Sequence, residues 1–288
     1  MYSSNKLTFE FDCGTGSFDS SGNNKLRITD VKALAKVSYS GNYGGYQADV
    51  TLFGLGLELI TILSSRGIGF ATDLKVNIGM NIYANDTQIF SGMIFSSYAN
   101  MNSIPESGLV INAFAGLDIA RKSTKAYTFN GTTSIQNILK SICTPFGYEI
   151  ITYGLDGLQG TNPHFEGSPL EQVRQVCFHF DLLMAINGTT ITLWKRSSGI
   201  NTIKALVSPD NGMIGYPVFT QSGIMYQTQF SPYLTAGQQV EIQTSLPNAS
   251  GVYTNFAVDH YLSSWVKDGP WITMGQAGRL VTQGSTNE

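Results

Sequence analysis

Charge is what this sequence lacks most. Only 13% of its 288 residues are Asp, Glu, Lys or Arg, about half the ~25% typical of soluble domains. The 17 basic and 20 acidic residues leave a net charge of −3, with both signs scattered along the chain. A dedicated nucleic-acid binder needs a clustered basic stripe to displace counterions from phosphates, and no such stripe is present. That argument does not exclude nucleic acid passing through a neutral channel.

Cysteine, histidine and long apolar runs are scarce too. The three cysteines, Cys13, Cys143 and Cys177, lie far apart. They make neither a disulfide framework nor a CxxC pair, so they read as reduced, buried, small apolar residues. No apolar run approaches the ~18 residues that a membrane span needs, which implies no membrane insertion. The opening MYSSNKLTFEFD lacks a charged region followed by an apolar core, so no secretory signal is expected. The Asn-x-Ser/Thr triplets at Asn85, Asn130, Asn187 and Asn248 then carry little weight as glycosylation sites. The expectation is a soluble protein made in a reducing compartment.

What is abundant is glycine, at 31 residues, with 14 tyrosines and 16 phenylalanines. A surface poor in charge and rich in Tyr, Gln, Asn, Ser and Thr suits a protein partly covered by neighbours, because interface cores are depleted in charge and enriched in aromatics. An all-β domain with polar uncharged faces would give the same composition.

Period-two alternation dominates the first 120 or so residues. Leu7, Phe9 and Phe11 alternate with Thr8 and Glu10, and LKVNIGMNIY places Leu74, Val76, Ile78, Met80 and Ile82 on one face. Both are marks of half-buried strands. ADVTLFGL, QIFSGMIFSSY and SGLVINAFAGL read as further strands, and LELITILSS as a short helix or tight connection. Short strands at this spacing predict a sandwich or barrel rather than a doubly wound sheet.

The texture changes from about Tyr127 to Lys195. SIQNILKSICTPF has Ile135, Ile138, Leu139 and Ile142 at helical spacing, with Pro145 just past its end. EGSPLEQVRQVCFHF starts with an N-cap at Ser168, Pro169 at the first helical position and Glu171 completing a capping box. The two segments form a weak repeat: FNGT at Phe129 matches FEGS at Phe165, CTPFGY matches CFHFDL, and the apolar runs YEIIT and LLMAI follow as strands. Strand texture then returns, with VYTNFAVDHYL placing Val252, Phe256, Val258, His260 and Leu262 on one face. QVEIQT and WITMGQA are further strands, with KDGP as the last turn. The expected fold is mainly β with a small α+β insert. Residues 1–124 and 198–280 form two β modules, 125–197 the helix-containing middle domain, and 281–288 a polar tail.

Chemistry is hard to find. Cys177, His179 and Asp181 crowd into C-F-H-F-D, but side chains two apart on a helix point away from each other. A zinc site from Cys143, Cys177 and His179 lacks ligand spacing and a fourth partner. His260 reads as a core or interface histidine and His164 as a solvated loop residue. Glu10 and Asp12 share a strand face, whereas Asp49, Glu58, Asp118, Glu166 and Asp259 are scattered. The glycine-rich stretches Gly14 to Asn24 and Ser40 to Tyr46 lack a phosphate-loop ending or a following helix and read as hairpin loops. No catalytic, cofactor-binding or metal residue is therefore assigned.

The stretch from Ser208 onward carries a specific resemblance. SPDNGMIGYP (Ser208 to Pro217) is followed by QFSPYLTAG (Gln229 to Gly237), QVEIQT, VDHYLSSW (Val258 to Trp265) and GPWITM (Gly269 to Met274). This order resembles the C-terminal barrel of baseplate hub proteins of phage tails, above all those of Mu-like and related contractile-tailed phages. ADVTLFGLG (Ala48 to Gly56), IFSGMIFSSYANM (Ile89 to Met101) and LVINAFAGLDIARK (Leu109 to Lys122) are similar to the first barrel of the same family.

The resemblance implies two tail-tube-like β-barrel modules flanking the helix-bearing middle. It implies a homotrimer closing a pseudo-sixfold ring between the hexameric tail tube protein and the trimeric central spike protein. Tape-measure protein would fill the lumen, other baseplate proteins would surround the ring, and DNA would meet it only in transit. The location implied is the virion, after assembly in the host bacterial cytoplasm, without enzymatic activity or cofactors. Two rivals stay open: a carbohydrate or cell-wall binding module using Trp194, Trp265 and Trp271, and a glycosidase or peptidase of the tail tip using carboxylates or Cys177 with His179.

Overall fold

The computed structural model describes residues 5–41, 45–64, 78–102 and 107–279, side chains 201–203 excepted. In chain order the first part forms β1 (Leu7–Asp12), β2 (Lys25–Ile28), β3 (Ala33–Ser40), β4 (Gln47–Phe53), α1 (Leu57–Ser64), β5 (Gly79–Ala84), β6 (Thr87–Asn100) and β7 (Gly108–Phe114). Next come α2 (Leu117–Ala120), β8 (Tyr127–Thr128), β9 (Thr132–Ser134), α3 (Ile135–Cys143), β10 (Glu149–Tyr153), β11 (Gln159–Thr161) and β12 (His164–Phe165). The remainder is α4 (Pro169–His179), β13 (Leu182–Asn187), β14 (Thr190–Lys195), β15 (Ile200–Val207), β16 (Val218–Thr220), β17 (Gly223–Gln229), β18 (Gln238–Ile242), β19 (Gly251–Ser264) and β20 (Trp271–Gly278). The fold is mainly β with few helices, as the alternation implied.

The chain forms two compact units. Unit 1 holds Met1–Ser38, Tyr46–Leu117 and Asp259–Ile272, and unit 2 holds Tyr39–Gly45, Asp118–Val258 and Thr273–Glu288. In unit 1 the pairing path runs from the last residues of β19 through β3, β4, β7, β6, β5 and β1 to β2. Leu7, Phe9, Phe11, Ala35, Val37, Val50, Leu52, Met80, Ile82, Leu109 and Ile111 are buried, and the residues between them in each strand are more exposed, buried Thr8 excepted. Each buried aliphatic or aromatic side chain of this kind contributes about 1.5–3 kcal/mol relative to exposure, so the alternation fixes which face turns inward. Ile78 joins that core, whereas Leu74 and Val76 lie outside the described residues. LELITILSS does form a helix, seating Ile60 and Leu63 inward.

The path in unit 1 has two ends among the described residues and does not close into a ring. The same holds for unit 2, where β16, β17, β20, the first part of β19, β18 and β15 follow one another. β15 and β18 run parallel, whereas β16–β17 and β18–β19 are antiparallel.

Unit 2 also carries a three-stranded sheet, β10–β14–β13, in which β10 and β14 are parallel and β13 and β14 antiparallel. α3 packs against β10, α4 against β13, and the two helices against each other. This is the helix-then-strand unit twice over. The strands that lead into each copy pair directly: β8 lies antiparallel to β12, with Thr128 opposite His164 and Tyr127 opposite Phe165. Both helices start on serine caps. Ser134 accepts a hydrogen bond from the Asn137 N–H, and Ser168 accepts from Glu171 while the Glu171 carboxylate accepts from the Ser168 N–H at 2.7 Å.

Two close approaches organise the rest of unit 2. The Trp194 indole is 1% exposed and packs on the backbone of Gly41 and Gly237. A Cβ at Gly237 would stand 2.7 Å from the ring, and its φ of 83° is a left-handed conformation that favours glycine. Tyr226 lies likewise over Gly275, and its hydroxyl donates to Asn255 at 2.8 Å. That hydrogen bond bears on β19. One inward face was expected over its whole length, but Tyr253 and Asn255 are buried in its first part and Val258, His260 and Leu262 in its second. Val252 and Phe256 are therefore not core residues, because the Tyr226 phenol and the core around Tyr253 hold the opposite face inward.

Ser168→Ala removes the side-chain acceptor of the capping box and should lower stability by about 1 kcal/mol, within a range of roughly 0.5–2. A urea titration should show a lower midpoint with an unchanged slope.

Candidate functional site

The residues that looked chemically capable are dispersed. On α4, Cys177 is buried while His179 is exposed, its ring meeting that of Phe180 edge-on with centroids 4.8 Å apart. Asp181 lies beyond the helix with a φ of 49°, and Arg196 Nε donates to its carboxylate at 2.9 Å. The C-F-H-F-D side chains thus diverge. Cys143 and Cys177 are both buried, and burial pushes each thiol up to about 12, far from the thiolate that a nucleophile or metal ligand requires. The described residues contain no group of three or more His, Cys, Asp or Glu able to hold a metal ion.

Most of these carboxylates serve a local contact. Glu10 accepts from the Tyr83 hydroxyl at 3.0 Å and faces Arg27 at 3.5 Å, and Asp12 faces Lys25 at 4.0 Å. Asp118 accepts from the Tyr148 hydroxyl at 2.5 Å; burial first and this carboxylate second raise the phenol's pKa. His164 bonds the Thr128 hydroxyl at 2.8 Å and lies 4.0 Å from Glu166. Glu58 sits in the first turn of α1. His260 is fully buried in unit 1. Asp259, Lys36, Asp49, Asn112 and Ser96 line up across β19, β3, β4, β7 and β6. Lys36 lies 3.7 Å from Asp259, Asn112 donates to Asp49 at 2.6 Å, and Ser96 donates to Asn112 at 2.7 Å. This polar ladder runs along the outer face of unit 1. Sequence reading missed it, although Lys36, Asp49 and Asn112 each lie between two buried apolar residues of their own strand.

The glycine-rich stretches are hairpin loops. Residues Gly14 to Asn24 join β1 to β2, with the Asp19 carboxylate gathering the N–H groups of Ser21 and Asn23 and the Asn23 amide. Those hydrogen bonds, the Asn23 side chain foremost, hold its pKa below the usual carboxylate range. The stretch Ser40 to Tyr46 joins β3 to β4, and residues 42–44 lie outside those described. The three tryptophans do not share an exposed face: Trp194 is buried, Trp271 half-buried and Trp265 70% exposed.

Apolar exposure concentrates in the segment that follows β15. Met213 bridges to Thr228, the Ile214 N–H donates to Gln227 at 2.8 Å, and β16 pairs with Gly223–Met225. The chain from Met213 to Thr220 therefore runs along the outer side of β17 and ends its sheet. It turns outward Ile214, Tyr216, Val218 and Phe219, exposed by 40%, 68%, 54% and 54%. Beside it lies a polar groove of about 310 Å³ lined by Asp210, Asn211, Thr228, Gln229 and Ser231 among others. Edge strands usually carry lysine or other charge against unwanted pairing. This edge carries none.

Among the described residues the candidate side chains named above do not converge, and exposed apolar side chains follow one another along the Met213–Thr220 edge. The model of the family described as Baseplate hub gp41 matches residues 63–275. The chain belongs to that family. It is thus a baseplate hub protein, of a family of structural components of phage tails. No curated protein compared with it matches. The 43 kDa tail protein of prophage MuSo2 from Shewanella oneidensis shares its fold with a TM-score of 0.64 at 11% identity, covering 96% of this chain and 97% of that one. A tail protein from Neisseria meningitidis gives 0.62 at 8% identity over 96% of each chain. An E. coli component of the type VI secretion system, described as similar to the bacteriophage T4 tail proteins gp27 and gp5, gives 0.59 at 11% identity over 88% of this hub and 74% of that chain.

The thiols supply a test of the non-catalytic reading. All three are buried, so an aromatic disulfide reagent at pH 8 should leave the native hub unlabelled and report three thiols after unfolding. The unfolded chain ionises first because burial raises the folded values of Cys143 and Cys177 from 9.0 to about 12. Their stabilising contribution is present below pH 9.0 and is lost as the pH rises towards about 12, which denaturation midpoints across that window would measure.

Proposed function

We propose that three copies of this hub close a pseudo-sixfold ring that joins the hexameric tail tube to the trimeric central spike and leaves a channel for DNA. The observation that carries the reading is the family match over residues 63–275 on a chain whose exposed surface offers contacts rather than chemistry. Two β-rich portions, residues 1–124 and 198–280, act as tube-like modules around the middle domain 125–197, with 281–288 as a polar tail. Two similar modules per chain present six comparable patches per trimer, which suits a sixfold tube on one side and a threefold spike on the other. A heterologous interface whose rotation closes yields such a ring.

The low charge supports the channel role, since few basic groups are available to retain DNA in transit. The partners are the tail tube protein, the central spike protein, other baseplate proteins and, before ejection, tape-measure protein in the lumen. The place of action is the virion, and the hub itself catalyses nothing. The dispersal of Trp194, Trp265 and Trp271 weighs against the glycan-binding alternative, and the separation of Cys177, His179 and Asp181 against the hydrolase.

The solution mass of the hub, alone and mixed with purified tail tube and spike proteins, tests the proposal. The expected species in the mixture contains three hub copies. A hub that stays monomeric and binds neither protein would sink it.

A further inference from the structure

Two sheet ends of this hub differ in a complementary way. In unit 1 the path ends at β2, whose sequence Lys25-Leu26-Arg27-Ile28 alternates basic and apolar residues, with Lys25 and Arg27 exposed. The carboxylates near them, Asp12 at 4.0 Å and Glu10 at 3.5 Å, belong to the neighbouring strand β1. In unit 2 the edge from Met213 to Thr220 is uncharged and apolar. The stretch Ser208 to Ile242 around it contains Asp210 and Glu241 but no lysine or arginine. Asp210 lines the adjoining groove and forms no ion pair among the described residues.

An edge of this kind is a template for an added strand, because its outer N–H and C=O groups have no partner in the sheet. The added strand must cover Tyr216, Val218 and Phe219 with apolar groups and bring a cation to the Asp210 groove. Pro217 supplies no N–H, which confines regular pairing to the short segment Val218–Thr220. A short extended strand alternating apolar and basic residues meets these demands, and β2 is one, with no strand on its outer side among the described residues.

We propose that β2 of one copy adds to the Met213–Thr220 edge of the next, with half-buried Leu26 beside the apolar strip and Lys25 or Arg27 at the Asp210 groove. The contact joins different patches of the two copies, so it propagates head to tail and is satisfied at every position only in a closed ring. The inference rests on the ring reading above and names the surfaces that would build it.

Cysteine pairing tests it on the full-length chain. Val218→Cys, Phe219→Cys and Thr220→Cys are each combined with Leu26→Cys and oxidised in the presence of tail tube and spike proteins. Opposed residues on paired strands stand about 4.5–5.5 Å apart at Cα, within disulfide range. The three native thiols are buried and do not compete. The expected result is a disulfide-linked ladder of dimers and trimers for one of the three positions only, the one directly opposite Leu26, since its diagonal neighbour lies about 7–8 Å away and an adjacent side chain points to the opposite face. Lys25→Glu with Arg27→Glu should weaken association about tenfold, and Asp210→Lys should restore part of it.

Cross-links at all three positions alike, or none in a hub whose mass still shows three copies, would overturn the edge pairing and leave the ring intact. A hub that remains monomeric with both partners overturns the two together.

Discussion

An open sheet must do something with its last strand. Each end exposes a row of N–H and C=O groups that the protein has to shield with charge, cover with another element or hand to a partner. Here the two units treat that constraint differently. At β2, lysine and arginine stand over carboxylates of the next strand, so the edge is charged but locally balanced. At β16 there is no charge, and aromatic and aliphatic side chains point outward over a polar groove. An uncovered edge of the second kind is an aggregation hazard in a free monomer. In a component built to be surrounded, it is a place to be joined.

The scarcity of charge has a related origin inside unit 1. Its outward face is held by the ladder of Asp259, Lys36, Asp49, Asn112 and Ser96, in which neutral amide and hydroxyl groups bridge strands that charged pairs would otherwise link. Cross-strand pairs of this sort contribute roughly 0.2–1 kcal/mol each. They give the sheet lateral stiffness without building a strong field on its surface.

How much of this could be read from the sequence follows from what local pattern encodes. The capping box at Ser168, the helical spacing of Ile135, Ile138, Leu139 and Ile142, and the alternation at Leu7, Phe9 and Phe11 are each set by neighbours a few residues away, and each is found in the structure. Register and partner choice are not local. Nothing near Lys36 or Asn112 tells that they share a ladder, and nothing near Met213 tells that it lies along β17. β19 shows the limit most clearly. Its alternation was legible, but the change of inward face between Asn255 and Val258 depends on Tyr226, far away in sequence. The family resemblance succeeded because it rested on the order of many turn and strand signals rather than on any one of them.

Trp194 and Trp265 give the molecule a property unrelated to assembly. One indole is sealed against the glycines of unit 2, while the other stands 70% exposed at a φ of 55° in the turn after β19 of unit 1. A sealed indole emits at shorter wavelength and escapes aqueous quenchers, whereas an exposed one emits to the red and is quenched at once. The two units thus carry separate optical labels in the native sequence. Light alone can tell which of them loosens first, and any surface that settles over Trp265 will announce itself as a shift to the blue.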